Sequence, residues 1–304
     1  MDRDHLRILV IKHGALGDFI LSAGPFAAIR EHHKNSTITL LTTPPYVDIA
    51  EKSGLFDDIW SDPRPPLWNI PMWAKIIQRL RSGRFDRVYD LQTSTRSNTY
   101  YKYLGIKKPE WSGIAPGCSF PHNNPNRNNM HTIERQMDQL RMTGITDYKP
   151  SELSWLNENI SGLISSKNNN LPNVLIVAGG STHRQNKRWP AQSYGQLACL
   201  LYESGLLPIL IGTSSEKEVM ETIHQHCPES LNLCGRTSFA QIATLARQAK
   251  VAVGNDTGPM HIAASVGCPT MVIFSDASDP SITLPRGPKV RYLQTKSMDD
   301  LTVE

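Results

Sequence analysis

The sequence carries three loops whose side chains suit sugar chemistry, and each loop follows a short run of β-branched or aliphatic residues. The first loop reads HGALGD at positions 13–18 and opens a helical pattern. A carboxylate at such a place can take a proton from a hydroxyl group. Asp18 is therefore a candidate general base, and capping of the helix is the simpler alternative for the same residue.

The second loop reads GGSTH at 179–183 and continues to KRWP at 187–190. Its small residues let the backbone approach a ligand closely. The hydroxyls of Ser181 and Thr182 and the ammonium group of Lys187 suit a phosphate or a diphosphate. A solvated basic loop is the alternative interpretation.

The third loop begins the segment GNDTGPMHIAASVGCP at 254–269. Thr257 can cap a helix whose first turn contains Pro259, and the amino end of a helix attracts anions. Gly258 permits close approach of a ligand. Asp256 would repel a phosphate, so it is better suited to accept hydrogen bonds from sugar hydroxyls. The segment predicts a site for a sugar linked to a diphosphate.

Other positions carry weaker signals. Glu216 follows the predicted strand at 208–212 and could bind a ribose diol or cap the next helix. Trp68 and Trp73 lie among prolines and belong either to the core or to a sugar-binding face. Loop arginines of the first half could contact an acidic acceptor, although surface arginines are common: Arg64, Arg96 and Arg127.

Alternating strands and helices must position these loops. The predicted strands are 7–11, 37–42, 87–91, 173–178, 208–212, 251–253 and 270–274. The predicted helices are 18–31, 73–80, 131–142, 191–204, 215–226, 239–249 and 259–266. Such alternation indicates an α/β fold with parallel sheets covered on both faces, and ligands of such sheets bind at the carboxyl ends of the strands.

A polar stretch divides the chain near its middle. It reads SGLISSKNNN at 161–170, a composition that favours turns and resists packing. Each half opens with a strand, a glycine-containing loop and a helix. We therefore predict two Rossmann-like domains, 1–165 and 172–304, that face each other across a cleft.

Composition and charge exclude several classes of protein. The chain has 304 residues, of which 39% are hydrophobic and 20% charged, as in ordinary globular proteins. The net charge of +4 comes without a basic run, so nucleic-acid binding has little support.

No apolar run approaches the ~18 residues of a membrane span. The start lacks a signal-peptide core, which predicts a cytoplasmic protein. The five cysteines are scattered, which disfavours a disulfide framework and a zinc site.

The loops and their flanking strands together resemble glycosyltransferase family 9, the heptosyltransferases of lipopolysaccharide biosynthesis. The similar segments are 8–30, 187–190, 208–218, 233–238 and 254–274. The resemblance implies a GT-B fold, with the acceptor on the N-terminal domain and an ADP-heptose-like donor on the C-terminal domain. The chain departs from the family at Ser275 and Asp276, where a glycine is common. Members of the family usually begin a last helix, which packs across the two domains, at the position that corresponds to Glu304. The resemblance therefore leads us to expect either weaker closure of the domains or a chain that continues beyond Glu304.

The resemblance also implies roles for individual residues. Asp18 matches the catalytic base of the family, and Lys187 matches the lysine that meets the phosphate and the sugar. Ser181 is included because of the chemistry of its loop, and the other residues because of the resemblance. The residues expected to bind the donor are Ser181, Thr182, Lys187, Glu216, Thr237, Asp256, Thr257 and Gly258. Among them Glu216 matches the ribose-binding acid, Thr237 falls near the adenine, and Asp256 matches the residue that binds the sugar.

The expected reaction is an inverting transfer that requires no metal ion and no cofactor. Asp18 would deprotonate the acceptor, while Lys187 and the helix start at Thr257 and Gly258 would stabilise the departing diphosphate. The expected partners are an ADP-sugar and an anionic glycolipid, with peripheral binding at the inner membrane surface as an option. Two alternatives stay open, a nucleotide-sugar epimerase and a non-catalytic nucleotide-sugar-binding protein.

Overall fold

The computed structural model describes residues 5–148, 150, 153–164, 171–180 and 187–303. The chain forms two compact units, Met1–Ser151 and Glu152–Glu304. The division falls before the polar stretch at 161–170, because the segment that precedes this stretch packs on the second unit. There Thr244 accepts a hydrogen bond from the backbone N–H of Glu158 at 3.0 Å, and Arg247 donates to the carbonyl oxygen of Leu156 at 2.7 Å.

The first unit is a six-stranded parallel sheet with helices. Its strands are β1 (Arg7–Ile11), β2 (Thr37–Thr42), β3 (Asp58–Ser61), β4 (Arg87–Asp90), β5 (Glu110–Gly113) and β6 (Phe120–Pro121). Its helices are α1 (Leu16–Leu21), α2 (Ala23–His32), α3 (Val47–Ser53), α4 (Ile70–Ser82), α5 (Thr95–Tyr103) and α6 (Thr132–Arg141). The strand order β3-β2-β1-β4-β5-β6 places β1 at the centre, where its aliphatic residues are buried on both faces.

The second unit repeats this plan. Its strands are β7 (Asn173–Val177), β8 (Leu207–Leu210), β9 (Leu231–Asn232), β10 (Val251–Asn255), β11 (Thr270–Ser275) and β12 (Val290–Thr295). Its helices are α7 (Ala191–Glu203), α8 (Lys217–His226), α9 (Phe239–Gln248), α10 (Gly258–Ser265) and α11 (Pro280–Thr283). The sheet order is β12-β11-β10-β7-β8-β9, and every pair is parallel.

The α/β prediction of parallel sheets is confirmed, and the buried strands were placed to within two residues. The predicted helix at 18–31 was wrong in one respect, because α1 and α2 are separate helices that meet at Ser22. The Ser22 hydroxyl donates to the backbone oxygen of Asp18 at 2.6 Å at this junction. No helix in the described part of the chain is both long and apolar enough to cross a membrane.

Candidate functional site

The donor-site candidates of the second unit follow four adjacent strands at one edge of its sheet. Strands β10, β7, β8 and β9 are neighbours and parallel, so their carboxyl ends meet at the same edge. Gly180 and Lys187 follow β7, Glu216 follows β8, Thr237 follows β9, and Asp256 follows β10. The carboxyl edge of a parallel sheet is where ligands of such folds bind.

The Glu216 carboxylate joins two of these loops. Its Oε1 accepts a hydrogen bond from the backbone N–H of Gly180 at 2.6 Å, and its Oε2 accepts from the backbone N–H of Thr213 at 2.7 Å. A Cβ atom at Gly179 would overlap this carboxylate, so a side chain there would displace Glu216 from these hydrogen bonds. The capping alternative is confirmed, since Thr213 and Glu216 form a reciprocal capping box. A role in ribose binding stays a prediction.

The Asp256 carboxylate lies among three polar side chains. Its Oδ2 is 3.4 Å from Lys187 Nζ and accepts a hydrogen bond from the Ser278 hydroxyl at 3.0 Å. Its Oδ1 is 4.0 Å from His261 Nε2. Lys187 and Asp256 are thus brought together as the sequence predicts for one site. Both side chains are largely buried, with 16% and 10% of their surface exposed.

Ser278 was not predicted, and it comes from the loop where the resemblance led us to expect glycine. The backbone N–H of Ser278 donates to the carbonyl oxygen of Ser275 at 3.1 Å, and the Ser275 hydroxyl accepts from the N–H of Ala277 at 3.3 Å. These two bonds form a turn after β11. The turn directs the Ser278 hydroxyl to Asp256.

Asn255 fixes the loops around it and was also missed. This residue is buried, and its Oδ1 accepts hydrogen bonds from Trp189 N at 3.1 Å and from the Tyr194 hydroxyl at 2.9 Å. Its Nδ2 donates to the carbonyl oxygens of Ala178 and Gly179 at 2.8 and 3.1 Å. One amide side chain therefore holds the ends of β7 and β10 to the beginning of α7. Its place inside the GNDTG motif at 254–258 was the sequence signal for this residue.

Thr257 is the N-cap residue of α10, as predicted, but its side chain makes no capping hydrogen bond. The Thr257 Oγ1 is buried and lacks a hydrogen-bond partner among the described residues. A Cβ atom at Gly180 would lie 3.6 Å from Thr257 Cγ2, so the loops after β7 and β10 are adjacent. Gly258 is the first residue of α10.

Three further residues were predicted to bind the donor. Ser181 and Thr182 lie outside the described residues. Thr237 is half-buried at the same sheet edge, directly before Ser238, the residue that caps α9. Together the described loops offer an ammonium group, backbone N–H groups and carboxylates at one edge. This combination suits a ligand that carries both a phosphate and hydroxyl groups.

In the first unit, Asp18 lies in the first turn of α1. The capping alternative was wrong, because Ala15 is the N-cap residue and Asp18 is the third helical residue. The half-buried carboxylate accepts a hydrogen bond from the Thr132 hydroxyl at 3.4 Å. Arg135 in turn donates to Thr132 Oγ1 at 3.5 Å.

A buried lysine and a buried carboxyl group lie behind Asp18. Lys12 directly follows the central strand β1, and its buried ammonium group donates a hydrogen bond to the carbonyl oxygen of Leu91 at 3.4 Å. Burial lowers the pKa of Lys12, while the charges of Asp18 and Asp90 oppose this. Burial raises the pKa of Asp90 to about 6, although the backbone N–H groups of Thr93 and Gln92 donate to it. Sequence analysis missed both residues because they continue apolar strands.

Arg96 is engaged by a buried carboxylate. Its guanidinium group donates to both oxygens of Asp62 at 2.9 and 3.0 Å. Burial raises the pKa of Asp62, but hydrogen bonds from Arg96 and Tyr100 outweigh this and lower it. Asp62 also accepts from the backbone N–H of Arg64 at 2.7 Å, and Arg64 itself is exposed with a positive φ of 53°. His13 Nε2 is 3.8 Å from Asp62, and burial lowers the pKa of His13 to about 4.

Arg127 stands near a second arginine. It is half-buried and donates to Thr93 Oγ1 at 3.2 Å and to Asn128 Oδ1 at 3.0 Å. Burial and the neighbouring charge of Arg135 lower the pKa of Arg127. Two like charges close together favour binding of an anion, so this pair suits an acidic ligand.

The described residues include no group of three or more His, Cys, Asp or Glu side chains arranged to hold a metal ion.

A parallel six-stranded sheet in each unit, with an edge in the second unit that suits a phosphate and sugar hydroxyls, is the architecture of GT-B glycosyltransferases. Residues 73–300 match the family model of glycosyltransferase family 9 (heptosyltransferase). The lipooligosaccharide heptosyltransferase 2 of Haemophilus ducreyi is 34% identical over 92% of this chain and 86% of its own. The chain belongs to glycosyltransferase family 9.

Two solved structures share the fold of this chain. The ADP-heptose lipopolysaccharide heptosyltransferase II of Escherichia coli superposes with a TM-score of 0.77 at 22% identity, over 97% of this chain and 95% of that one. The E. coli heptosyltransferase WaaC, solved with ADP, gives a TM-score of 0.75 at 15% identity, over 97% and 96%. The predicted GT-B fold and the predicted family are therefore confirmed.

Proposed function

We propose that this glycosyltransferase moves a heptose, or a related sugar, from an ADP-sugar to an anionic acceptor of the lipopolysaccharide core. The family and the named heptosyltransferase relatives support the reaction class. The observation that carries the donor proposal is the contact between Lys187 and Asp256 at 3.4 Å, beside the loop that Glu216 and Gly180 close. A cation for the diphosphate and a carboxylate for the sugar hydroxyls are what such a donor needs.

The second unit would bind the donor. Lys187 and the backbone at Thr257 and Gly258 would neutralise charge as it develops on the departing diphosphate, as preorganised donors do in other enzymes. Asp256 would accept hydrogen bonds from the sugar, with its orientation fixed by the Ser278 hydroxyl at 3.0 Å. Ser181, Thr182 and Thr237 remain donor-binding candidates on the resemblance alone.

Asp18 would act as the general base on the acceptor hydroxyl, and the attack would invert the anomeric carbon. Its carboxylate is half-buried and touches the Thr132 hydroxyl, so its position is defined. Arg64, Arg127 and Arg135 would meet the acidic groups of the acceptor. Arg96 would act indirectly, because its guanidinium group is bound to Asp62, which also holds the backbone of Arg64.

A product assay tests the proposed function. The purified protein is incubated with ADP-heptose and an acceptor lacking its heptose, and the products are resolved by mass spectrometry. Transfer adds one heptose to the acceptor and releases ADP. An epimerised nucleotide-sugar without transfer would favour an epimerase, and binding without any product would favour a non-catalytic protein. Thermal shifts with ADP-, UDP- and GDP-sugars identify the nucleotide independently, since a bound ligand stabilises the folded state.

A further inference from the structure

Two cysteines of the second unit meet where two helices pack together. Cys199 lies in α7, and Cys227 is the C-cap residue of α8. The sulfur of Cys199 lies 3.2 Å from the carbonyl oxygen of His226, the residue before Cys227. The thiols of Cys199 and Cys227 also interact directly, and both side chains belong to one hydrophobic cluster of this unit. The fold thus brings together two thiols that the sequence separates.

The other three cysteines have different surroundings. All five cysteines of the chain are free thiols. Three of them donate to backbone carbonyl oxygens, namely Cys118, Cys234 and Cys268. Cys227 instead lies against the thiol of Cys199. A disulfide requires two cysteines whose side chains already meet, so Cys199 and Cys227 are the pair that the structure prepares for one.

The two thiols differ in access and in acidity. Cys199 is half-buried, whereas Cys227 is fully buried. Burial, followed by the neighbouring Cys199, raises the pKa of Cys227 to about 11. Cys227 also stands at the carboxyl end of α8, where the helix dipole disfavours a negative charge. A small oxidant therefore meets Cys199 first, and Cys227 is placed to react second, from inside the protein.

We propose that Cys199 and Cys227 form a disulfide when the folded protein meets a small disulfide such as glutathione disulfide. The Cys199 thiolate attacks one sulfur of glutathione disulfide, forms a mixed disulfide and releases a glutathione thiolate, which takes up a proton. The Cys227 sulfur then attacks the Cys199 sulfur, and the second glutathione leaves with the proton of Cys227. The protein loses two electrons and two protons, and glutathione disulfide becomes two molecules of glutathione.

The disulfide would close the part of the chain that carries Glu216. β8 and the capping box of Thr213 and Glu216 lie between the two cysteines in the sequence. A cross-link around such a segment removes conformations of the unfolded chain, so the oxidised protein should resist unfolding more than the reduced protein. The inference goes beyond the transfer reaction, and it holds whether or not the proposed donor and acceptor are correct.

Peptide mapping after oxidation tests the proposal. The folded, reduced protein is incubated with glutathione disulfide, and the remaining thiols are blocked with N-ethylmaleimide. Trypsin then places Cys199 in peptide 189–217 and Cys227 in peptide 218–236. The second peptide also contains Cys234, so the link is assigned in Cys234→Ser, which retains the pair. Mass spectrometry of the intact protein and of the peptides gives the result.

We expect the two peptides of Cys234→Ser to be linked, and the intact protein to be lighter by two hydrogen atoms than its reduced form. Dithiothreitol should restore both thiols. Cys199→Ser should abolish the link, and Cys227→Ser should stop at a mixed disulfide between glutathione and Cys199. The oxidised form of Cys234→Ser should melt about 5 °C above its reduced form, and Cys199→Ser should lack this shift.

Peptides that stay unlinked in folded Cys234→Ser, with or without glutathione on Cys199, would overturn the proposal. So would a link that forms only after unfolding in urea, or disulfide-linked dimers in place of the link within one chain. An oxidised form that melts no higher than the reduced form would contradict the stabilising cross-link. Because Cys234→Ser keeps both thiols of the pair, these results do not depend on whether Cys227→Ser folds.

Discussion

Lys187 Nζ and Asp256 Oδ2 lie 3.4 Å apart, although 69 positions separate them in the sequence. The lysine follows β7 and the aspartate follows β10, and these strands are direct neighbours in the sheet. Both side chains are largely buried, so their attraction is screened less than that of a surface pair. The pair keeps a cation and a carboxylate side by side at the edge where the donor is proposed to bind.

Replacement of Lys187 tests the diphosphate contact. Lys187→Ala should weaken the binding of ADP by ~1.5–3 kcal/mol, the usual contribution of a hydrogen bond to a charged group. The loss also leaves Asp256 without its neighbouring cation, and a free carboxylate repels a diphosphate. Isothermal titration with ADP measures the change. Lys217→Ala is the control, because Lys217 is an exposed lysine paired with Glu221 on α8. Unchanged ADP affinity in Lys187→Ala would remove Lys187 from the site.

Asn255 should contribute strongly to stability. Asn255→Ala leaves the buried carbonyl oxygens of Ala178 and Gly179 and the donors of Trp189 and Tyr194 without their partner. We expect a loss of about 3 kcal/mol in the free energy of unfolding, since several buried polar groups become unsatisfied together. Urea unfolding measures the midpoint. Asn157→Ala is the control, because the Asn157 side chain is exposed. Equal midpoints for the two variants would contradict the structural role.

Metal independence follows from the proposal that protein groups neutralise the leaving group. Transfer activity should survive extensive treatment with EDTA, because Lys187 and the amino end of α10 would supply the positive potential. The measurement is the initial rate before and after chelation, with metal analysis of the same samples. Activity that disappears with EDTA and returns with magnesium, manganese or iron would show that a metal ion takes part.

The buried carboxyl group of Asp90 should make stability depend on pH. Its pKa is about 6 in the folded protein and near 3.8 when unfolded, so the folded state holds the proton more tightly. Stability therefore falls as the pH rises from about 4 to about 6, by up to about 3 kcal/mol. Asp90→Asn should remove this dependence and be more stable than wild type at pH 7, with little difference at pH 4.

Urea unfolding across this pH range measures the effect of Asp90. Asp147→Asn is the matched control, because Asp147 is exposed and its substitution should leave the pH profile of wild type unchanged. A pH profile of Asp90→Asn that runs parallel to that of wild type would show that Asp90 titrates normally.

The sequence predicts the central strands well and the edge strands poorly. β1 and β2 are uninterrupted aliphatic or β-branched runs, because both of their faces are buried, and their limits were predicted without error. β12 was missed because four of its six residues are exposed at the sheet edge, where no continuous apolar run is needed. β5 was missed because its sequence, EWSG, contains no aliphatic or β-branched run, and β6 was missed because it has only two residues.

The site shows the same division between local and long-range information. Asp18, Lys187 and Asp256 belong to short motifs, so the sequence alone marks them as candidates. Ser278 has no such motif, and its contact with Asp256 depends on the pairing of β11 with β10. In the sequence, Lys12 and Asp90 lie at the ends of two predicted strands and give no sign of a shared site. The parallel pairing of β1 with β4 brings them close to each other.

The variant Asp18→Asn tests the proposed general base. Asp18→Asn keeps the size of the side chain and the oxygen that accepts from Thr132, and Asp18 does not cap α1, so the fold should be unaffected. Loss of a general base should lower turnover by ~10²–10⁴-fold. ADP affinity should stay nearly constant, because the donor candidates lie in the second unit and Asp18 lies in the first.

Three measurements on one preparation decide the role of Asp18: turnover, the dissociation constant of ADP and the melting temperature. Asp48→Asn is the matched control, because Asp48 also lies in the first turn of a helix of the first unit and is exposed. It should retain the turnover of wild type, which separates the chemistry of Asp18 from the general effect of losing a negative charge near a helix start. A folded Asp18→Asn variant with near-normal turnover would refute the base assignment, and the hydrogen bond from Thr132 would then leave Asp18 a packing role between α1 and α6.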